Sequence, residues 1–422
     1  MSTPGGPARR AGSGAERALT PEQRTNQRNA VLAGFLGWTL DAFDYFVLTF
    51  IVEDVAHAFG KTRPDIAWTI TLTLAMRPVG AIVFGLMADR WGRRLPLMLN
   101  VIFYAVISVL SGLAPSYRAF LILRMLFGIG MGGEWGTGAA LALEAVSAKW
   151  RGLFSGLLQE GYALGGFLAA LAFRLVYVPL HAANPDQAWR YMFFLGGIPA
   201  LLSLFIRAKV KESDAWHEHK TDWKSYGHAI AQNWRRFLYL VAMMAMMNFI
   251  SHGSQDMYPT FLQHERGYSA VGTSNLSMIG YAGAILGGLL FGYWSDRAGR
   301  RKAMVVSAFF ALVIIPLWIA APSTALIALG VFLMQFFVQG AWGVVPAHIN
   351  ELSPSALRGF FPGFAYQLGN LCASSVGYIE SSLGEHFTYA QSMGVLMAAV
   401  LVIGGIVIAM GPEEHGVNFR RS

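Results

Sequence analysis

Four polar residues recur at a helical spacing within one long apolar stretch of this chain. Asn248, His252, Gln255 and Asp256 stand at i, i+4, i+7 and i+8, which places them on one face of a helix. The His252 imidazole and the Asp256 carboxylate are one turn apart, and both group types can take up and release protons. We predict that His252 hydrogen-bonds a bound ligand while Asp256 takes up and releases a proton. A polar face of this kind cannot meet lipid, so it lines either a helix contact or an aqueous cavity.

Two arginines, Arg77 and Arg124, lie deep in other apolar stretches, where a retained charge is a functional candidate. A guanidinium offers a planar fork of donors that matches a carboxylate. Arg124 precedes a glycine-rich run at 128–133 that lets its helix pack closely. We therefore predict that Arg124 clamps the carboxylate of a bound acid. Arg77 directly precedes Pro78, and it either neutralises a neighbouring aspartate or contacts the acid itself.

Several carboxylates share these apolar stretches. Each is a candidate for binding a coupled proton, because its pKa depends on burial and on neighbouring charge. The pair of His252 and Asp256 leads this group. The other proton-coupling candidates are Asp41, Asp44, Glu134 and Glu160.

Composition indicates which elements position these residues. The chain is 55% hydrophobic and 13% charged, whereas soluble domains carry roughly 25% charge. Apolar stretches of roughly the 20 residues that span a bilayer recur along it, and only helices of this length and uniformity satisfy their backbone in hydrocarbon. Twelve spans are predicted, at about 30–53, 65–88, 95–114, 118–144, 152–178, 190–208, 237–262, 270–294, 303–321, 323–349, 357–380 and 389–410. The predicted fold class is an all-α membrane protein.

An internal repeat divides these spans into two sets of six. The decapeptide that begins at Gly85 returns at Gly292, and the same offset of 207 residues carries Glu144 onto Glu351. We therefore predict two pseudo-symmetric six-helix bundles. The predicted division is a disordered cytoplasmic tail at 1–24, an N-terminal bundle at 25–206, a cytoplasmic linker at 207–236, a C-terminal bundle at 237–410 and a cytoplasmic tail at 411–422.

Basic residues are distributed unevenly between the predicted loops. With the N-terminus inside, 24 of the 32 lysines and arginines lie in the cytoplasm and 5 lie outside. This asymmetry follows the positive-inside rule and predicts that both termini are cytoplasmic, in an inner or plasma membrane. The net charge of +8 then reflects topology and contact with membrane lipid, not nucleic acid.

Twelve helices with two copies of Gly-x-x-x-Asp-Arg-x-Gly-Arg-Arg resemble the major facilitator superfamily over nearly the whole chain. Gly85 and Gly292 allow helices to approach closely, and Asp89 and Asp296 can accept from arginines or helix N-termini. The resemblance implies a transporter, usually monomeric, whose two bundles are latched in the outward-facing state by this cluster. The predicted latch residues are Gly85, Asp89, Arg90, Arg93, Glu144, Arg151, Asp296, Arg297, Arg300, Glu351 and Arg358.

The segment from Asn248 to Thr260 matches the Asn-x-x-Ser/Thr-His-x-Ser/Thr-Gln-Asp-x-x-x-Thr signature of the Jen lactate permeases. The first and fourth spans resemble the sialate:proton symporter group, to which those permeases belong. In the eleventh span Tyr366, Gln367 and Asn370 share one face and are similar to the substrate-contacting segment of the Jen group; alternatively, Gln367 and Asn370 only join helices. The sialic acid carriers that the chain resembles have two additional spans, for which 422 residues leave no room, so length favours a small monocarboxylate.

The two halves differ where chemistry is expected. At the repeat offset Gly132 meets Gln339 and Glu160 meets Gln367, so the unmatched positions are expected to mark the substrate site. The predicted substrate-binding residues are Arg124, Asn248, His252, Gln255, Gln367, Asn370, Arg77, Tyr366 and Gln339.

These resemblances together predict proton-coupled symport of a small monocarboxylate of the lactate or pyruvate class, by alternating access of the two bundles. The proton is the co-substrate and no cofactor is expected. One alternative is another organic acid, since Asp41-Ala-Phe-Asp44 is similar to the Asp-Gly-Phe/Tyr-Asp of aromatic acid:proton symporters. A second is a receptor that senses an acid without moving it. An enzyme is not expected, because the chain shows no metal-ligand spacing, nucleophile elbow, P-loop or dinucleotide fingerprint.

Overall fold

A computed structural model describes residues 20–218, 223–374, 376, 379, 387–417 and 419. Throughout this part of the chain the regular structure is helical, as predicted. Most of the predicted 1–24 tail, the middle of the predicted linker and the end of the eleventh span lie outside the described residues.

The helices of the N-terminal half are α1 (Pro21–Phe50), α2 (Val52–Ala58), α3 (Arg63–Trp91), α4 (Arg94–Gly112), α5 (Tyr117–Ala145), α6 (Arg151–Gln159), α7 (Gly161–Ala172), α8 (Val178–Ala183), α9 (Pro185–Leu195) and α10 (Ala200–Lys209), with a π-helical segment at Phe173–Tyr177. The helices that follow are α11 (Asp214–Glu218), α12 (Trp223–Gln255), α13 (Tyr258–His264), α14 (Ala270–Ala298), α15 (Arg300–Ala320), α16 (Thr324–Leu352), α17 (Phe361–Ala373) and α18 (Tyr389–Met410).

Ten helical segments of the described chain are long and apolar enough to cross a membrane. The fourth predicted span corresponds to the continuous helix α5, and the eleventh begins as α17. Helix α1 starts at Pro21, inside the predicted tail, because Thr20 accepts from the backbone of Gln23 and Gln23 caps Thr20 in return.

Two predicted spans are interrupted at a candidate site residue. Helices α6 and α7 meet at Glu160, and α12 ends at Gln255, directly before Asp256. In the second case Pro259 occupies the first turn of α13, where its missing N–H costs nothing. Each break places a carboxylate at the junction of two helical segments, where backbone hydrogen bonds still link the segments to the preceding turn.

The duplication is visible in the closest helix contacts. Helices α3 and α5 approach so tightly that a Cβ at Gly80 would lie 1.8 Å from the carbonyl oxygen of Ile129. A Cβ at Gly287 of α14 would lie 1.9 Å from the carbonyl oxygen of Phe336 in α16. Both residue pairs are related by the 207-residue offset, so the two halves repeat the same backbone contact.

Candidate functional site

Arg77 lies where the two halves face each other in the middle of the molecule. Its side chain extends from α3, and its guanidinium carbon lies 5.7 Å from the ring centre of Tyr366 on α17. Arg77 is buried, and neither its Nε nor its Nη2 atom has a hydrogen-bond partner among the described residues. A buried guanidinium with unused donors is prepared to accept an anion.

Two fully buried carboxylates share the surroundings of Arg77. Asp41 of α1 and Glu134 of α5 are both 0% exposed. None of their four carboxylate oxygens has a hydrogen-bond partner in the described chain. Both acids interact electrostatically with Arg77 and with each other. A buried carboxylate whose oxygens have no hydrogen-bond partner is costly unless another group or a ligand compensates it.

Arg124 occupies a different place. Its Nη2 atom lies 3.7 Å from the Asp44 carboxylate, and its guanidinium carbon lies 3.9 Å from the ring centre of Phe127. Ser108 donates to the same aspartate at 2.6 Å. All these partners belong to the N-terminal half, so Arg124 is a counter-ion within that half. Its assignment as the clamp stays a prediction, which this geometry does not favour.

His252 and Asp256 form the predicted pair at the break between α12 and α13. The His252 Nδ1 atom lies 3.1 Å from an Asp256 oxygen, and the two side chains are 39% and 47% exposed. Asn370 of α17 interacts with His252 as well. Asp256 interacts electrostatically with Tyr45 of α1, across the space between the halves. The side chains of this pair are therefore partly exposed, whereas those of Asp41 and Glu134 are buried.

The remaining members of the polar stripe point elsewhere. Asn248 is buried and donates to the backbone of its own helix at Met244, at 2.8 Å. Gln255 donates to Gln335 of α16 at 3.0 Å, and Gln339 lies 3.3 Å from the hydroxyl of Ser251. Of the stripe, only His252 and Asp256 therefore face the space between the halves. Gln255 and Gln339 instead join α12 to α16.

Gln367 lies on a buried face of α17, and its side chain is 1% exposed. Neither its amide nitrogen nor its amide oxygen has a partner in the described part of the chain. A buried amide with two unused groups is costly unless a ligand or water satisfies it. This observation supports the predicted contact between Gln367 and a substrate, and it does not support the alternative of a helix-joining hydrogen bond.

Aromatic rings that the sequence reading did not assign surround Arg77 and Tyr366. Trp135 of α5 stacks on Tyr366 with ring centres 4.6 Å apart, and Trp342 of α16 meets the same ring edge-on at 5.9 Å. Trp38 of α1 stacks on Tyr162 at 5.4 Å. The sequence signals for this cluster were the equivalence of Trp135 and Trp342 at the repeat offset and the presence of Trp38 and Trp135 in the spans that resemble the sialate:proton symporter group.

The predicted latch residues meet at one end of the molecule, which we call the latch end. Asp89, near the end of α3, accepts from the backbone N–H groups of Gly359 at 2.6 Å and Phe360 at 3.1 Å. Those groups open α17 of the other half, so a carboxylate faces a helix N-terminus. Arg93 joins Asp89 at 3.0 Å to Glu144 at 3.1 Å.

The second copy of the motif makes the mirror contact. Asp296, at the end of α14, accepts from the backbone N–H groups of Gly152 at 2.8 Å and Leu153 at 3.1 Å, which open α6. Arg300 joins Asp296 at 2.7 Å to Glu351 at 2.9 Å. Each motif therefore caps a helix of the opposite half.

Two further ion pairs cross between the halves at the latch end. Arg151 lies 2.9 Å from Glu351, and Arg358 lies 3.8 Å from Glu144. Gly85 makes the contact possible, since a Cβ there would lie 2.9 Å from the Cα atom of Phe360.

Three predicted residues lie at the margin of the site and the latch. Arg90 is exposed, and Arg297 donates to Tyr293 of its own helix. Glu160 lies against Gly288 of α14, where its carboxylate oxygen would be 2.3 Å from an added Cβ. The position of Glu160 is therefore at the contact between the halves and not beside Arg77.

Two glutamates at the latch end were not anticipated. Glu212 accepts from the backbone N–H groups of Arg93 at 2.8 Å and Arg94 at 3.1 Å. Glu413 accepts in the same way from Arg300 at 3.1 Å and Arg301 at 2.8 Å. Their separation of 201 residues departs from the repeat offset of 207, so the overlay of the halves did not match them.

Curated relatives of this chain carry several organic acids. The chain is 27% identical over 92% of its length to a carboxylic acid transporter protein homolog of Saccharomyces cerevisiae, of which it covers 68%. It is 30% identical over 93% of its length to a probable 4-methylmuconolactone transporter of Cupriavidus pinatubonensis, of which it covers 92%.

A third relative corrects the argument from length. The sialic acid transporter NanX of Escherichia coli is 29% identical, and the alignment covers 94% of this chain and 96% of NanX. A carrier of sialic acid can therefore have this length, and the missing spans do not favour a smaller substrate.

Solved structures share the fold. The proton:xylose symporter XylE superposes with a TM-score of 0.73 at 18% identity, covering 94% of this chain and 98% of XylE. FucP in its outward conformation gives a TM-score of 0.74 at 12% identity, with 90% and 97% covered.

The family assignment rests on the sequence match. The model of the Major Facilitator Superfamily matches residues 34–377 and 245–420, which is most of the chain. The match agrees with the repeated motif, the mirror contacts at the latch end and the relatives, which are transporters and not enzymes. This membrane-embedded, all-helical chain belongs to the Major Facilitator Superfamily of transporters.

Proposed function

We propose that this transporter carries a small organic monocarboxylate together with a proton. The observation that carries the proposal is the group of Arg77, Asp41 and Glu134. It combines a buried guanidinium that has unused donors with two buried carboxylates that have no hydrogen-bond partner. An anion and a proton are the two species that such a group needs.

Arg77 is the proposed carboxylate clamp. A guanidinium replaces the hydration of one carboxylate through two parallel hydrogen bonds. Arg77 reaches Tyr366 of the opposite half, and Gln367 follows in the same helix with an unsatisfied amide. An acid bound here contacts both halves, so its binding favours states in which they close around it. Arg124 also has unused donors, but it lies beside Asp44 and has no equivalent contact with the C-terminal half among the described residues.

Charge balance argues for proton coupling. Away from the latch end, the buried charged residues of the N-terminal half are Asp41, Asp44 and Glu134 against Arg77 and Arg124. With every group ionised this cluster carries one excess negative charge, and an entering carboxylate adds another. Unbalanced charge is expensive in a low-dielectric interior, so binding of the anion favours binding of a proton. This linkage is reciprocal, and it is the thermodynamic basis of symport.

His252 and Asp256 complete the proposed path. Their side chains are partly exposed, and Asp256 interacts with Tyr45 of the other half. A proton that enters through this pair reaches the buried carboxylates only when the acid is bound at Arg77. Opening of the latch end, which we propose faces the cytoplasm, then releases both. A monoanion carried with one proton crosses without net charge.

The class of acid is argued from one clamp and its neighbours. The single guanidinium of Arg77 at the contact between the halves suits an acid with one carboxylate, such as lactate or pyruvate. A second candidate, a flat unsaturated or aromatic acid, is favoured by the rings of Trp38, Trp135 and Tyr366 and by the relative named for 4-methylmuconolactone.

The test is uptake of radiolabelled acids into proteoliposomes under an imposed inward proton gradient. We expect accumulation that collapses when the gradient is removed by an uncoupler. Competition by pyruvate, benzoate and sialic acid then ranks the substrate classes. Uptake that ignores the gradient would overturn proton coupling, and binding without flux of any acid would identify a receptor instead.

A further inference from the structure

The segment that follows α18 is folded back onto the latch end. It comprises residues 411–417 and Phe419, which we call the tail segment. Its Glu413 caps the start of α15 through the backbone N–H of Arg300, and Glu414 forms an ion pair with Arg236 at 2.6 Å. These contacts anchor the tail segment to the C-terminal half.

Phe419 extends from this anchor to the other half. It is 2% exposed. Its ring packs in one apolar cluster with residues of α1, α5 and α6, among them Val31, Leu143 and Leu158. The tail segment therefore joins both halves.

The same ring contacts both crossing arginines of the latch. The guanidinium carbon of Arg151 lies 3.6 Å from its centre and that of Arg358 lies 4.0 Å away. Arg151 also donates to the carbonyl oxygen of Val417 at 2.9 Å. Distances this short place each guanidinium over the ring and not at its edge, which is the arrangement of a cation–π contact.

Arg151 and Arg358 are equivalent positions of the repeat, one in each half. Each pairs with a glutamate of the opposite half, so both must separate from their partners when this end opens. Two like charges held close together repel each other, and an aromatic face between or beside them offsets that repulsion. Phe419 contacts them in the closed arrangement, where both are buried and the attraction is strongest.

We propose that Phe419 is a gate residue: it stabilises the state with a closed latch end by holding Arg151 and Arg358, and it leaves this position when the halves separate there. The proposal concerns the gate and not the acid that is carried. Phe419 acts as a positioning residue for the two arginines. Its removal shifts the conformational equilibrium without touching the substrate site.

The experiment measures opening of the latch end directly in the full chain. Spin labels are placed at Leu95→Cys and Lys302→Cys, two exposed positions related by the repeat offset, in a Cys372→Ser background. Their distance distribution is recorded in lipid nanodiscs without any acid. In Phe419→Leu, which keeps an apolar side chain but removes the ring, we expect the ratio of open to closed molecules to rise about tenfold.

Phe419→Trp keeps an aromatic face, and we expect the distribution of the unaltered protein. Phe309→Leu, an exposed phenylalanine of α15, is the matched control and leaves the distances unchanged. A closed distribution in Phe419→Leu, or an equal shift in Phe419→Trp, would overturn the proposal. If Phe419→Leu lowers the yield of folded protein, Phe419→Met removes the ring in its place. Because no acid is present, the result is independent of the proposed substrate and of proton coupling.

Discussion

Among single residues, the two buried arginines Arg77 and Arg124 have different neighbours, and we expect them to have different roles. Sequence reading favoured Arg124, because the glycines after it allow close packing. In the structure those glycines bring α5 against α3: a Cβ at Gly132 would lie 1.8 Å from the carbonyl oxygen of Arg77. Arg124 is left facing Asp44 within its own half, while Arg77 faces Tyr366 of the other.

We expect Arg77→Ala to lower gradient-driven uptake about 100-fold, since it removes a charged pair of hydrogen bonds to the acid. Arg77→Lys keeps the charge but loses the fork, and is expected to recover only part of the rate. Initial rates in proteoliposomes check both. Arg118→Ala, at an exposed arginine, is the control. Normal uptake by Arg77→Ala would return the clamp to Arg124.

Asp41 and Glu134 are the buried carboxylates that we propose bind the proton. In Glu134→Gln the proton site is permanently neutral, so we expect gradient-driven accumulation to fall at least about tenfold while exchange of acid for acid continues. Comparison of net uptake with counterflow in one preparation separates the two activities. Asp186→Asn, at an exposed acid, should alter neither. Loss of exchange together with accumulation would show that Glu134 is structural.

At the scale of elements, helix ends at the latch end are controlled by carboxylates. Asp89 and Asp296 each cap a helix of the opposite half, whereas Glu212 and Glu413 cap α4 and α15 of their own half. A negative charge at a helix N-terminus satisfies free N–H groups and the helix dipole together. Glu212 and Glu413 thus hold the loops of the repeated motif without any contact to the opposite half.

Glu413→Ala is therefore expected to weaken the first turn of α15 by about 1 kcal/mol. Hydrogen exchange followed by mass spectrometry should show about fivefold lower protection at the start of that helix. Glu414→Ala removes the neighbouring acid, which pairs with the side chain of Arg236 and caps no backbone, so protection should persist. Equal losses in both variants would contradict the capping role.

At the scale of the whole molecule, the two halves meet through glycines as well as charges. Gly136 of α5 and Gly363 of α17 touch, and a Cβ on Gly136 would lie 2.7 Å from the Cα atom of Gly363. The closed latch end thus depends on backbone contact, which tolerates no side chain at this point.

We expect Gly136→Ala to push the latch end open and to reduce uptake, because the closed state can no longer form without displacing α17. The label pair at Leu95→Cys and Lys302→Cys measures the opening. Gly405→Ala is a matched control, since an added Cβ there meets no atom within 4 Å. A closed distribution in Gly136→Ala would mean that the helices absorb the methyl group.

The class of molecule, the helical spans, the duplication and most of the latch pairs were predictable from the sequence. These follow from apolar length, from a repeat in register and from residue types at fixed spacing, all of which are local properties of the chain. The interruptions at Glu160 and Asp256 were missed because hydropathy averages over a whole span.

Which buried charges meet depends on how the helices pack and cannot be predicted from the sequence alone. Arg77 and Arg124 both lie in apolar stretches, so sequence context does not separate them. Their surroundings differ because glycine contacts determine how α3 and α5 pack against each other. The same reason applies to Asn248, which the helical spacing grouped with His252 but which packing directs to its own backbone. Phe419 is the extreme case: nothing near it in sequence signals a site, and its two arginines come from opposite halves.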